Sequence, residues 1–303
     1  LVRRPVTMIR KALIQLGVKV ETSGGLLPLK LSGRLRPGRA FIDESSGSQL
    51  LTGLLMALPM ADGDSRIDVA SLTSKPYIGL TLGLLAEFGI KVENDDYRSF
   101  IIPGRQSYRA HEYTVEGDWS GAAFLLVAGA TAGRVTVDGL NPCSLQADRA
   151  VLQALEEAGA GLITGPCGIT ASRSELKAFT FEATDAPDLF PPLAALAARC
   201  EGTSRITGVG RLRHKESDRA EAIAEVLGAM GIRVRFSGNE MLITGGQAKG
   251  ATVSSHNDHR IAMMAAVMAA SAAGPVTIAG AEAVSKSYPG FYDDLTRLGA
   301  VIS

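Results

Sequence analysis

The stretch richest in side chains that could bind ligands or transfer protons is residues 211–219, RLRHKESDR, which contains five basic and two acidic side chains. It lies between an apolar run with strand character, TSRITGVG, and an apolar run with helical character, AIAEVLGAMG. Unpaired N–H groups and the dipole of a helix N-terminus favour anions, and guanidinium groups pair with carboxylate or phosphate through two hydrogen bonds. This stretch therefore predicts a binding site for small anionic molecules.

Related polar stretches recur at other predicted strand-to-helix corners. A first kind of corner reads LTSKPY, NPCSLQADR, RLRHKESDR and VSKSYPG, and a second kind reads DESSGSQ, GDWSG, ATDAPD and SHNDHR. Each corner alone has a simpler explanation, because Ser and Asp cap helices well and a surface Lys or Arg is usually solvated. Corners at equivalent places in repeated units can converge on one cleft. We expect GDWSG and NPCSLQADR to be structural versions of the motif.

A cleft built from these corners would be strongly cationic. Its predicted basic residues are Arg4, Arg211, Arg213, Lys215, Arg219, Arg260 and Lys286. Arg pairs bidentately with carboxylate and phosphate whereas Lys acts as a point charge, so the expected substrates are small and multiply charged. In this positive field Asp188 and Glu216 stay ionised unless desolvated, which makes each a candidate proton carrier, and His259 is a third candidate.

The elements that must position these corners form an internal repeat. A helix ending in hydrophobic-Gly-hydrophobic occurs five times with a period of 68 to 72 residues, and the glycines are Gly17, Gly89, Gly159, Gly231 and Gly299. We expect each glycine to take the left-handed conformation that stops a helix before a strand. Around these helices lie strand-like runs, among them YTVEGD at residues 113–118, and Ala/Leu-rich helices. Together they give repeated βαβαββ units of about 70 residues, which predicts an α/β fold. The first unit begins in mid-pattern, so we expect a longer parent polypeptide.

Composition excludes several functional classes. The 31 basic residues balance the 31 acidic ones and aromatic residues make up only 5%, which disfavours nucleic-acid binding. The longest apolar run, from Ile261, is too short for a membrane span. The cysteines Cys143, Cys167 and Cys200 are odd in number and lack a CxxC or His-rich setting, which disfavours disulfides and zinc and favours the cytoplasm.

The chain resembles the 5-enolpyruvylshikimate-3-phosphate synthase family of enolpyruvyl transferases over essentially its whole length. The resemblance is carried by SSGSQLLTGLLMALPMA, SKPYIGLTL, VEGDWSGAAFLL, DAPDLFPPLAALAA, RLRHKESDR, HNDHRIAMMAA and SKSYPGFYDDL, in the family's order. It implies two domains of the inside-out α/β barrel type, each of three βαβαββ units, with residues 1–115 in a remnant of the N-terminal domain and residues 116–303 in the C-terminal domain. It further implies a monomer without metal or organic cofactor.

The resemblance also implies residue roles in the transfer of an enolpyruvyl group from phosphoenolpyruvate to the 5-hydroxyl of shikimate 3-phosphate. Asp188 would accept the hydroxyl proton and Glu216 would handle the proton at the methylene carbon, with His259 nearby. The implied shikimate 3-phosphate ligands are Ser48, Gln49, Ser74, Tyr77, Asp188, Arg211 and Lys215. The implied phosphoenolpyruvate ligands are Arg4, Gln49, Arg219, Arg260 and Lys286.

The sequence departs from the family pattern in three places. Gly47 replaces a common serine, Arg211 stands where some members have an uncharged side chain, and the family's Gly-Ser-Lys-Ser and Gly-Asn-Ala-Gly-Thr loops do not occur in these 303 residues. We therefore expect the chain alone to have little or no turnover. Two alternatives stay open: an enolpyruvyl transferase acting on UDP-N-acetylglucosamine, whose loop cysteine has no matching context here, and a non-catalytic anion-binding fragment that needs a partner segment.

Overall fold

The computed structural model describes residues 6–43, 48–165, 168–213 and 215–303. The chain divides into two compact units, Leu1–Thr114 and Val115–Ser303, and both are mixed α/β. Arg4 and Gly47 lie outside the described residues. Assignment of the two units to the N- and C-terminal domains of the family stays a prediction.

The first unit has two sheets. Its elements in chain order are α1 (Thr7–Gln15), β1 (Lys19–Ser23), β2 (Leu26–Ser32), β3 (Arg39–Ile42), α2 (Gln49–Ala57), β4 (Ser65–Val69), α3 (Lys75–Glu87), β5 (Glu93–Asp95) and β6 (Ser99–Ile102). Strands β1 and β2 form an antiparallel pair, and the larger sheet has the order β3-β4-β6-β5. Its β3-β4 pair is parallel and the other pairs are antiparallel. Leu51, Ile67 and Phe100, from α2, β4 and β6, lie in its buried core.

The second unit has three sheets around a set of inner helices. Its elements are α4 (Trp119–Ala132), β7 (Arg134–Asp138), α5 (Val151–Glu157), β8 (Gly161–Thr164), β9 (Gly168–Ser172), β10 (Thr180–Glu182), α6 (Phe190–Ala197), β11 (Thr203–Thr207), α7 (Arg219–Ala229), β12 (Arg233–Ser237), β13 (Glu240–Thr244), β14 (Ala251–Ser254), α8 (His259–Ala269), β15 (Val276–Ala279) and α9 (Phe291–Arg297). The strand orders are β7-β9-β8, β10-β11-β13-β12 and β14-β15.

Helices α4, α6 and α8 form the interior of the second unit and pack against one another. Every residue of α6 is buried, as are twelve of the fourteen residues of α4 and nine of the eleven residues of α8. Their Ala- and Leu-rich sequences explain this, because a helix that is apolar on all sides must be covered on all sides. The ends of these helices are therefore where polar chemistry can occur.

The predicted repeat and fold class are confirmed. The full βαβαββ order occurs in β3-α2-β4-α3-β5-β6 and again in β10-α6-β11-α7-β12-β13. All five repeat glycines adopt positive φ, from +78° to +101°, as expected for residues that end a helix in the left-handed conformation.

One predicted strand is wrong. Residues 113–118, YTVEGD, are all described and form no strand. The Gly117 N–H donates to the carbonyl of Gly139, but the side chain of Glu116 instead accepts hydrogen bonds from Ser144 and Gln146. The side-chain contacts hold this segment in place without a strand ladder. Among the described residues, no helix has the length and apolar character needed to cross a membrane.

Candidate active site

The predicted site residues around Asp188 lie at or just before the N-termini of α6, α7 and α8, which pack against one another. Asp188 belongs to a 3₁₀ turn, Pro187–Leu189, that leads directly into α6. Asp218 and Asp258 are the N-caps of α7 and α8, and their carboxylates accept hydrogen bonds from the first backbone N–H groups of those helices. Because Asp is a preferred capping residue, the local sequence determines where these helices begin.

Arg219, the first residue of α7, is the centre of the site and only 1% exposed. Its Nε donates to Oδ2 of Asp258 at 2.8 Å, and one terminal nitrogen donates to Oδ1 of Asp188 at 2.6 Å. The other terminal nitrogen donates to Oε2 of Glu216 at 2.6 Å. One buried guanidinium thus binds carboxylates from the N-terminal ends of three different helices, which fixes their relative positions.

Asp188 is bound by two further cations. Its Oδ1 accepts a hydrogen bond from Nζ of Lys215 at 3.2 Å, and its Oδ2 accepts one from a terminal nitrogen of Arg260 at 3.1 Å. Burial raises the pKa of Asp188, but the positive charges of Arg260, Lys215 and Arg219 together outweigh burial and hold that pKa well below its ordinary value. Asp188 is therefore ionised at neutral pH.

Asp258 and His259 occupy the buried side of the cluster. Asp258 is fully buried and also accepts a hydrogen bond from the hydroxyl of Ser217 at 3.1 Å. Burial raises the pKa of Asp258, but the charge of Arg219 outweighs it and lowers that pKa overall. Burial, followed by the charge of Arg260, lowers the pKa of His259, so its imidazole is neutral at physiological pH.

The remaining predicted cations have different surroundings. Lys286 is exposed, and its ammonium donates to the backbone carbonyl and to the side-chain oxygen of Asn257. Burial lowers the pKa of the Arg211 guanidinium, while the charges of Asp185 and Asp188 act in the opposite direction. Arg213 is exposed. The structure thus brings Arg211 within electrostatic range of Asp188 and holds Lys286 beside the start of α8.

The central cluster suits reversible binding of anions. Within the described part of the chain it balances three cationic side chains against three carboxylates, which are Lys215, Arg219, Arg260, Asp188, Glu216 and Asp258. An incoming phosphate or carboxylate can exchange with Asp188 for its cations, because all these pairs use the same charge-assisted hydrogen bonds. The exchange would leave Asp188 beside the bound molecule as a proton acceptor.

Asp148 is a buried acidic residue of this region that the sequence interpretation missed. It lies in a 3₁₀ turn, Ala147–Ala150, and accepts a hydrogen bond from the hydroxyl of Ser120 at 2.5 Å. Burial raises the pKa of Asp148 to about 6, and the negative charge of Asp188 contributes in the same direction. The two corners that contain Ser120 and Asp148 were expected to be structural only.

Four predicted site residues lie in the described part of the first unit. Ser48 is the buried N-cap of α2 and Gln49 is its first helical residue. Ser74, with a φ of +60°, precedes α3, whose first turn contains Tyr77. Within this unit α2 and α3 pack together, and a hydrogen bond of 3.1 Å joins the hydroxyls of Thr52 and Thr81. The two predicted ligand pairs thus lie at the starts of neighbouring helices.

Comparison with known proteins gives a consistent result. Residues 1–295 match the family profile described as EPSP synthase (3-phosphoshikimate 1-carboxyvinyltransferase). A 3-phosphoshikimate 1-carboxyvinyltransferase of Clostridium novyi (strain NT) is 38% identical over 304 residues, covering 100% of this chain and 70% of the relative. One of Thermococcus kodakarensis is 42% identical over 295 residues, covering 97% of this chain and 72% of the relative.

Solved structures agree with the sequence matches. EPSP synthase from Acinetobacter baumannii superposes with a TM-score of 0.82 at 29% identity, covering 100% of this chain and 72% of that one. The enolpyruvyl transferase NikO from Streptomyces tendae, at 21% identity and a TM-score of 0.76, covers 96% of this chain and 70% of its own and shares the fold. The predicted resemblance is confirmed and the alternatives are not favoured. The chain belongs to the EPSP synthase (3-phosphoshikimate 1-carboxyvinyltransferase) family.

Proposed function

We propose that the cluster around Asp188 and Arg219 carries out the reaction of this family. An enolpyruvyl group passes from phosphoenolpyruvate to the 5-hydroxyl of shikimate 3-phosphate, and inorganic phosphate is released, a step of the shikimate pathway to the aromatic amino acids. The observation that carries the proposal is that one carboxylate, Asp188, contacts Lys215, Arg219 and Arg260 at once. A base and its surrounding cations are what an anionic substrate with a reacting hydroxyl requires.

The proposal assigns the proton transfers to two carboxyl groups of the cluster. In the proposed mechanism Glu216 delivers a proton to the methylene carbon of phosphoenolpyruvate, which gives C2 cationic character. The 5-hydroxyl oxygen bonds to C2 while its proton passes to Asp188. The bond between C2 and the phosphate oxygen then breaks, the leaving phosphate takes up the proton held by Asp188, and the new methyl group returns its proton to Glu216. General acid and base groups of this kind each contribute about 10²- to 10⁴-fold to rate.

The charge of the site explains how Asp188 can act as a base. While Arg260 and Lys215 bind it, its pKa is held far below neutral and it is a weak acceptor. A bound phosphate or carboxylate that shares these cations offsets their charge, and the pKa of Asp188 rises towards a value that suits proton abstraction. Substrate binding would thereby activate the base.

The cations divide between the two substrates in this proposal. Arg260 and Lys286 bind phosphoenolpyruvate, whereas Lys215 and Arg211 bind shikimate 3-phosphate. Arg219 can contact phosphoenolpyruvate when it releases Glu216, the most exposed of its three carboxylate partners. Its contacts with Asp188 and Asp258 would keep the cluster assembled during that exchange.

Phosphate release and calorimetry test the proposal together. The 303-residue chain is expected to bind shikimate 3-phosphate saturably in the calorimeter, which does not require turnover. It is expected to release phosphate from the two substrates only slowly, because the family's Gly-Ser-Lys-Ser and Gly-Asn-Ala-Gly-Thr loops do not occur in it. Substitution Lys215→Met should weaken that binding about tenfold, because loss of one charged contact removes on the order of 1.4 kcal/mol. Arg149→Met, an exposed cation of the same unit, serves as control. Absence of both signals, or release with UDP-N-acetylglucosamine instead, would overturn the proposal.

We also propose that the protein acts as a monomer in the cytoplasm. Support for the location comes from the cysteines, since Cys143 and Cys200 are free thiols and Cys200 is buried in the second unit. Light scattering behind a sizing column checks the monomer, which is expected to run at the mass of one chain.

A further inference from the structure

Asp148 has a feature that the proposed chemistry does not use. The residue is 2% exposed, and its Oδ2 accepts the hydrogen bond from Ser120. Its Oδ1 is buried and has no hydrogen-bond partner among the described residues. A buried acceptor without a partner is costly and uncommon in native proteins, so the unsatisfied oxygen needs an explanation.

Arg260 has the complementary feature. A terminal nitrogen of its guanidinium donates to Asp188, but its Nε is buried and has no hydrogen-bond partner among the described residues. The charge of Arg260 acts on Asp148 and lowers its pKa, in opposition to burial. An unsatisfied donor on a cation and an unsatisfied acceptor on an anion therefore occur in side chains that interact electrostatically. The packing of α4 against α8 and against the turn that contains Asp148 brings these elements together.

We propose that Asp148 is a positioning residue for Arg260: its Oδ1 holds the Nε–H side of the guanidinium when Arg260 binds the carboxylate or phosphate of phosphoenolpyruvate. This inference rests on the proposed function. In that state Asp188 and the substrate compete for the terminal nitrogen of Arg260. A second carboxylate on Nε keeps the planar guanidinium in a fixed orientation, so that its outer edge faces the substrate.

The role requires ionised Asp148, and this makes it sensitive to pH. The groups whose charge or hydrogen bond acts on this carboxyl are Asp188, Arg260, Asp118 and Ser120. Burial and the two aspartates favour the protonated form, whereas Arg260 and the Ser120 hydroxyl favour the ionised form. The balance places the transition at about pH 6, above which Asp148 offers Arg260 a full charge.

The substitution Asp148→Asn tests the role, with binding of phosphoenolpyruvate measured calorimetrically in the presence of shikimate 3-phosphate. At pH 7.5 the dissociation constant should rise about tenfold, which corresponds to about 1.4 kcal/mol. The unfolding midpoint should not fall, because the amide keeps the volume and the hydrogen bond from Ser120. Asp138→Asn, which removes an exposed carboxylate from β7, is the matched control and should bind like the wild type.

The pH profile separates positioning from a structural role. As the pH falls below 6, the ratio of the phosphoenolpyruvate dissociation constants of Asp148→Asn and wild type should approach one, since wild-type Asp148 becomes neutral. Substitution Ser120→Ala keeps the carboxylate but removes a hydrogen bond that favours ionisation, so its loss of affinity should begin at a higher pH than in the wild type. This second variant keeps the test decisive if Asp148→Asn does not fold.

Two results overturn the inference. One is a dissociation constant for Asp148→Asn within twofold of wild type at pH 7.5, and the other is a Ser120→Ala profile identical to that of wild type. Failure of the wild type itself to bind either substrate would instead overturn the proposed function. The two failures are therefore distinguishable.

Discussion

Two corners of the second unit end in the same dipeptide, Asp-Arg, 70 residues apart, yet they use it in opposite ways. In residues 141–149 the aspartate, Asp148, is buried, and Arg149 is exposed and donates to a backbone carbonyl. In residues 211–219 the aspartate, Asp218, caps a helix at the surface, and Arg219 is buried among three carboxylates. One corner contributes its anion to the interior and the other contributes its cation.

The difference arises from how each helix begins. Helix α7 begins at Arg219, immediately after its cap, whereas a 3₁₀ turn covers Ala147–Ala150 before α5 begins at Val151. A 3₁₀ turn has three residues per turn and directs successive side chains differently from the first turn of an α-helix. The repeated unit thus determines where a strand-to-helix corner occurs, but the local turn determines which of two adjacent side chains is buried.

The largest expected effect comes from removing the buried cation. Arg219→Met leaves Asp188 and Asp258 without their shared partner, which should destabilise the unit by about 3–5 kcal/mol. Arg149→Met, at the equivalent place in the other corner, should cost less than about 0.5 kcal/mol because the side chain is exposed. Urea unfolding monitored by circular dichroism measures both. Equal losses would show that the corners do not differ as described.

The second prediction concerns the two buried aspartates. Asp188→Asn removes the proposed proton acceptor and should lower kcat by about 10²- to 10⁴-fold, as expected for loss of a general base. Asp148→Asn should change kcat far less, because its effect is exerted through Arg260 on substrate binding. Phosphate release at saturating substrate concentrations gives both values. A kcat for Asp148→Asn as low as that of Asp188→Asn would place both residues in proton transfer.

The third prediction is a pH dependence of stability. Because the pKa of Asp148 rises from its ordinary 3.8 to about 6 on folding, the folded state binds a proton more tightly than the unfolded state. This contribution to stability is present below pH 4 and is lost as the pH rises through 6. The difference between the folded and unfolded pKa values corresponds to a loss of roughly 3 kcal/mol in the free energy of unfolding once the pH is above both. The free energy of unfolding of Asp148→Asn relative to wild type should therefore increase between pH 4 and 7. A difference between the two proteins that stays constant over this pH range would contradict the prediction.

The smallest expected effect concerns the capping aspartate. Asp218→Ala removes the acceptor for the N–H groups of Ala220 and Glu221 and should cost about 1 kcal/mol. Asp218→Ser retains a capping oxygen and is expected to recover most of that loss. Thermal unfolding of the pair at pH 7 checks the result, and a cost as large as that of Arg219→Met would argue that Asp218 has more than a capping role.

The sequence predicts the repeat and the positions of the corners well. Glycine at helix ends, apolar periodicity and Asp at helix starts are local signals, and the structure follows them at Gly231, Asp118 and Asp258. The site residues Asp188 and Lys215 were predicted from charge at equivalent corners, and the structure joins them by a hydrogen bond.

Two features were out of reach of local signals. The run YTVEGD has strand-like residues, but a strand also needs a partner ladder, and Glu116 binds side chains instead. The burial of Asp148 depends on packing between α4, α8 and a 3₁₀ turn, which periodicity does not encode. The exact 70-residue offset between Asp148 and Asp218 was the available signal, yet it does not tell which side chain faces inward.

The three inner helices of the second unit carry no charged residue beyond their first turns, while Asp188 just before α6 and Asp258 and Arg260 at the start of α8 belong to the site. The residues that stabilise the core and the residues that contribute to the site therefore occupy separate stretches of the chain. A substitution at a helix start can change ligand affinity or the pKa of a site residue while the hydrophobic core stays unchanged. A substitution within the buried part of a helix can lower the stability of the protein without replacing any ionisable group.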